Sequence, residues 1–163
     1  MEETCMVKLW STQVDLYTMY RIPITLSTKD KMAKWGITNV LTYPMCQLED
    51  EDIDHLFFEC SFMAGIWNKL LAWQGIHRTG LDWKGEIQWA IKHITSRNST
   101  PQVYMMTLVG TIYNLWWERN YRIFQNKQRN EEFMTRLITR EINNRGSQQR
   151  KLISRLQELN VYP

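Results

Sequence analysis

At 163 residues, with 44% hydrophobic and 23% charged residues, the chain has the size and composition of one folded domain and excludes a disordered segment. Its net charge of +3 is too small to mark a partner by itself, and no apolar run approaches the roughly 18 residues a membrane span requires. Three cysteines, with no basic N-terminal region leading into an apolar stretch, argue against a secreted disulfide scaffold and for a reducing compartment, nucleus or cytoplasm.

Helical signals recur along the chain and strand alternation is nowhere sustained. Val7 to Met19 reads as a first helix with Val7, Trp10, Val14 and Leu16 on one stripe, broken at Pro23. Ser27-Thr-Lys-Asp30 reads as a capping box that opens a short helix, stopped at Gly36 by a left-handed residue. Asp54 to Trp73 carries Leu56, Phe57, Met63, Ile66, Trp67, Leu70 and Leu71 at helical spacings, with a kink where Ser61 caps a new helix and a stop at Gly75.

Asp82 caps a helix bearing Ile87, Ala90, Ile91 and Ile94. Arg97 to Thr100 is a loop, and Pro101 occupies the favoured first position of the longest helix, which runs to about Gln125. Its face holds Val103, Met106, Gly110, Tyr113 and Trp117, widened by Leu108, Ile112, Leu115 and Trp116, as a central helix requires. Asn130 caps a further helix that ends near Gly146. Residues 147–163 form an extra C-terminal helix with Leu152, Ile153, Leu156 and Leu159, docked loosely. The expected fold is all-α, a single-domain bundle of six to seven helices over residues 1–163.

Charge is unevenly distributed. From Glu118 to Pro163 there are ten Lys/Arg against five Asp/Glu, whereas Cys46 to Cys60 holds six acids and no Lys or Arg. Phosphate is drawn to the first region and repelled by the second.

Three blocks carry a resemblance. They are Tyr43-Pro-Met-Cys46 followed by His55-Leu-Phe-Phe-Glu-Cys60 and Trp67; Leu26 to Ile37 with its Thr-Lys and Gly36; and Leu115-Trp-Trp-Glu-Arg-Asn-Tyr-Arg-Ile-Phe124. Together they resemble the zinc-binding domain that follows reverse transcriptase in plant non-LTR retroelements, over about residues 7–145. The family's pattern is Cys-x2-Cys-x8-His-x4-Cys and then Trp, so the resemblance places Cys46, His55 and Cys60 at the second, third and fourth ligand positions. Tyr43 stands at the first, and Ser27 stands where proline is common.

A neutral phenol is a poor zinc ligand, and structural zinc is nearly always four-coordinate through thiolate and imidazole. The expectation is therefore a degenerate site with no cofactor: an irregular loop at the former zinc site, Cys46 and Cys60 packed as small apolar residues, and His55 a hydrogen-bonded or capping histidine. Zinc is the alternative, its fourth position completed by Glu49, Asp50 or water. His77 and His93 are assigned to surface or packing roles, and Cys5 to a free thiol.

No catalytic residue is assigned: the sequence has no glycine-rich phosphate loop, no Ser/His/Asp arrangement and no spaced carboxylates for two metals. The resemblance implies a non-catalytic module. Its first reading is a protein-interaction or regulatory domain exapted from a retroelement, with a protein partner or a second copy bound through residues such as Met105, Met106, Phe133 and Met134. Its second is an RNA- or DNA-binding accessory domain, for which Arg119, Arg122, Arg136, Arg140, Arg150 and Lys151 are the candidate contacts, Arg119 and Arg122 on the solvated side of their helix. Neither reading involves a membrane or a small-molecule substrate.

Overall fold

The computed structural model describes residues 16–93 and 99–159. The expected helix start at Val7 to Asp15, the Cys5 thiol, Ile94, and Arg97 and Asn98 of the expected loop lie outside them. Among the described residues the structure is all-α: α1 Leu16–Thr25, α2 Lys29–Lys34, one wide π-type turn His55–Glu59, α3 Ser61–Trp73, α4 Trp83–His93, α5 Thr100–Gln125, α6 Glu131–Gly146 and α7 Arg150–Glu158. The only extended pairing among them is an isolated antiparallel bridge, Thr42 with Asp50.

Several boundaries follow from single residues. Gly36 and Gly75 take φ of +71° and +75°, as left-handed helix stops require. The Asp82 carboxylate accepts the Gly85 N–H at 2.7 Å, and Asn130 Oδ1 accepts that of Phe133 at 2.8 Å, so both act as N-caps. Pro101 sits in the first turn of α5. Two expectations need correction. Pro23 lies inside α1 near its end, where the Lys31 ammonium bonds the Pro23 and Leu26 carbonyls. Cys60, in extended conformation, precedes α3 in the capping position, and Ser61 is its first residue.

One contiguous core runs between α5 and the surrounding helices, with α6 packed on both α3 and α5. Tyr104, Leu108, Ile112 and Leu115 of α5 meet Leu56, Met63, Ile66, Trp67 and Leu70 from the wide turn and α3. Full burial of each such side chain stabilises the fold by about 1.5–3 kcal/mol. Trp116 is buried and Trp117 is 39% exposed, so adjacent rings on α5 part as helical geometry dictates. Met105 and Met134 belong to the core and do not line a groove. The last helix is firmly docked: Leu152, Leu156 and Leu159 are buried, Trp73 Nε1 donates to the Leu159 carbonyl at 2.7 Å, and Arg155 Nη2 donates to that of Gln74 at 2.9 Å.

Among the described residues three carboxylates are fully buried: Glu51, Glu86 and Glu118. Arg119 Nη2 and Nε donate to the Glu51 oxygens at 2.6 and 3.0 Å, a bidentate pair. Glu51 Oε1 also accepts the Lys29 N–H at 2.9 Å, and its carbonyl accepts that of Asp30 at 3.3 Å, so it supplies the cap of α2 expected from Ser27. Glu86 accepts both terminal nitrogens of Arg78 (2.9 and 2.7 Å), Trp67 Nε1 (2.8 Å), the Leu81 N–H (2.8 Å) and the Tyr104 hydroxyl. Burial pushes the Glu86 carboxyl up, but these donors, Arg78 foremost, outweigh it and hold it below the usual carboxylate range. Glu118 accepts Arg122 Nε at 2.9 Å and the Arg129 N–H at 2.8 Å, which fastens the connection from α5 to α6.

Removing the guanidinium in Arg119→Ala leaves Glu51 buried and unpaired, and should lower the unfolding free energy in a urea titration by about 3–5 kcal/mol. Arg136→Ala, which breaks an exposed pair, should cost less than about 1 kcal/mol. Since the folded Glu86 carboxyl is held low, its contribution is fully present above the unfolded carboxylate range and is lost as pH falls through the folded value. Stability measured from pH 7 downward should therefore hold until about pH 4–5 and then fall. That fall should be shallower in Glu86→Gln.

Candidate metal centre

The chain between α2 and α3 builds a small cage. Tyr43 N–H donates to the Glu49 carbonyl at 2.8 Å and Gln47 N–H to the Tyr43 carbonyl at 2.9 Å, folding residues 43–49 into a tight loop with Cys46 inside it. Gln47 takes φ of +58°, a left-handed conformation that lets the chain reverse directly after Cys46. Asp52 Oδ1 accepts the His55 N–H at 2.8 Å and starts the wide turn. In a regular α-helix, residues five apart point about 140° away from each other. Here the Cys60 N–H reaches the His55 carbonyl at 3.1 Å, and this i to i+5 closure narrows that angle.

The result is convergence. Cys46 Sγ lies 3.3 Å from His55 Nε2, and the donor atoms of Cys46, His55 and Cys60 all fall within 4.8 Å of one another. Burial pushes the Cys46 thiol up, but the Leu48 N–H, the His55 ring and the Glu49 N–H outweigh it and bring the thiol down to about 7. For Cys60 burial prevails and raises the thiol, against the Met63 and Phe62 N–H groups at the start of α3, with negative charge on Cys46 adding to the rise. Two sulfurs and an imidazole form a soft donor set suited to zinc, and a metal draws the remaining proton from a coordinating thiol.

Tyr43 takes no part in this convergence as a donor to the cage. It is fully buried, its hydroxyl donates to the Leu56 carbonyl at 3.1 Å, and its ring meets that of His55 edge-on with centroids 5.5 Å apart. Burial, with the neighbouring Cys60 and Glu51, pushes its phenol well above the ordinary value, so it stays neutral. Glu49 and Asp50 are exposed and lie outside the group of converging donors.

Residues 4–67 match the family described as zinc-binding in reverse transcriptase. Over this segment the chain is similar to the reverse-transcriptase zinc-binding family. No curated protein and no solved structure matches the chain. The expectation of an absent cofactor is thereby corrected. The match to a zinc-binding family and three converged donors point to zinc, because the backbone of residue 43 still folds the loop around Cys46 although its side chain is no donor.

The other candidate residues are scattered. Arg119 and Arg122 are not on a solvated side: Arg119 is 4% exposed, bound to Glu51 and stacked over Trp116 at 4.7 Å. Arg122 bonds Glu118 and the Met45 and Arg129 carbonyls and lies over the Phe62 ring at 4.7 Å. Arg136 is exposed and bonds Glu132 at 2.7 Å, as their spacing anticipates, and Arg140, Arg150 and Lys151 are exposed on α6 and α7. His77 is exposed, and His93 stacks on Trp89 at 3.9 Å. Glu51, which joins the cage loop to α5, is unmarked among the acids of its segment.

The chain should retain about one zinc per molecule after purification without chelator, as released metal read by a colorimetric indicator. Cys46→Ser, His55→Ala and Cys60→Ser should each retain much less. Zinc content in the triple variant equal to the parent's would show that the metal lies elsewhere.

Proposed function

We propose that this chain is a non-catalytic, retroelement-derived zinc-binding module exapted as a protein-interaction or regulatory domain, acting inside the cell in nucleus or cytoplasm. The proposed unit is the whole chain, 1–163, with 147–163 as an added C-terminal helix; the bonds from Trp73 and Arg155 across to the far end support treating them as one body. The observation that carries the reading is a contrast in exposure. Arg119 and Arg122, which reach the cage segment at Glu51 and Met45, are consumed by internal pairs, while Ile24 (78%), Trp35 (61%), Ile37 (66%), Val40 (61%) and Leu48 (81%) stand in water along the segment that leads into and through the cage. Apolar side chains concentrated in this way favour a protein partner or a second copy over a phosphate backbone. No helix among the described residues is long and apolar enough to cross a membrane.

A nucleic-acid role has its own support in the exposed cations Arg136, Arg140, Arg150 and Lys151 of α6 and α7. Fluorescence anisotropy with short single- and double-stranded RNA and DNA, at about 50 and 200 mM salt, separates the two. The interaction reading expects no salt-sensitive binding, and concentration-dependent self-association in light scattering that Trp35→Ser with Leu48→Ser reduces. Steep, salt-sensitive binding that weakens in Arg140→Ala and Arg150→Ala would replace it with the nucleic-acid reading.

A further inference from the structure

The cage supplies three donors where zinc takes four. Among the described residues, the nearby groups able to complete the set are either bound elsewhere or outside the converged group. Tyr43 keeps its proton and gives it to the Leu56 carbonyl. Glu51 is bound by Arg119, Asp52 by the His55 N–H, and Asp54 by the Trp83 N–H at 3.3 Å. Glu49, Asp50 and Glu59 are exposed, outside the converged group. Cys60 and Tyr43 are buried whereas Cys46 and His55 are partly exposed, so the cage reaches solvent at Cys46 and His55.

We propose that the fourth position is exchangeable and takes a neutral imidazole nitrogen from outside the cage, a histidine side chain of a partner or a second copy. This rests on zinc being held by Cys46, His55 and Cys60. Charge selects the donor class. Two thiolates and a neutral imidazole already balance a divalent ion. The exposed acids Glu49, Asp50, Asp52, Asp54 and Glu59 lie on the segment that carries the three donors, with no Lys or Arg between Cys46 and Cys60. An incoming carboxylate, phosphate or thiolate would add negative charge to that field, and an imidazole adds none. Binding exchanges one water for one ring nitrogen, with no proton or electron transferred.

Cobalt substituted for zinc makes the site visible, since its absorption reports ligand type and number. Titrating imidazole into the cobalt-loaded chain should shift and saturate the visible bands, at concentrations at least about tenfold below those at which acetate has an effect, the scale on which a single interaction at a metal site moves affinity. Tyr43→Phe should respond as the parent does, because the hydroxyl is not a ligand. Tyr43→Cys should bind metal more than about tenfold tighter and lose the imidazole response. A metal-dependent dimer dispersed by imidazole would assign the donor to a second copy, and an imidazole response in a monomer leaves it to a partner; both support the proposal. It is overturned by a parent spectrum that imidazole does not change, by a response that appears only in Cys5→Ser, or by loss of the cobalt bands in Tyr43→Phe. Absence of any cobalt band in the parent would remove the zinc reading and this inference together.

Discussion

The bidentate pair between Glu51 and Arg119 ties together parts of the molecule that share little else. Glu51, its carboxylate withdrawn from water, caps α2 through that carboxylate at Lys29 and through its carbonyl at Asp30, ends the loop that holds Cys46, and fixes that loop to the C-terminal part of α5. Apolar packing is non-directional and sets no register by itself. A buried ion pair does, because displacing either partner strands a charge. Glu86 with Arg78 and Glu118 with Arg122 repeat the arrangement at α4 and at the turn into α6. The bundle thus has its geometry set at three points by charge and filled between them by Trp, Leu, Ile and Met.

What the sequence makes legible is its punctuation. Gly36, Gly75, Asp82, Pro101 and Asn130 act through their own backbone preferences or short side chains, so their effect is local and readable without the fold. Partners 68 residues apart are not readable in that way. Arg119 and Arg122 look like solvent-facing cations because nothing in the α5 segment shows that Glu51 and Met45 arrive against them. Met105 and Met134 look available for a groove for the same reason. The Ser61 cap fails because the i to i+5 turn hands the capping position to Cys60, and no periodicity announces a five-residue closure.

The metal centre shows where counting ligands misleads. Subtracting one donor from four suggests a failed site, yet the three remaining donors are positioned by the tight loop around Cys46 and by the wide turn between His55 and Cys60. Neither device uses the residue at position 43 as a donor to metal. Tyr43 instead fills space beside His55 and ties the loop to the Leu56 carbonyl, a packing role that a smaller residue would not fill.

The tie from Trp73 to Leu159 spans 86 residues, that from Gln74 to Arg155 spans 81, and the Glu51 pair spans 68. Such separations make this helical protein unlike a bundle closed by neighbouring hairpins, and they set the order of events as the chain is made. A ribosome that has released residues through Trp67 has released the whole metal loop, with the Glu51 carboxylate still lacking its guanidinium and the end of α3 still lacking its cover. Loop-closure entropy must be met before any of these contacts forms, so compaction comes late and slowly for an all-helical chain. Until the last helix emerges, the growing chain displays Trp73 and the parts of α5 and α6 that α7 covers, surfaces on which a nascent protein aggregates or is held by a chaperone.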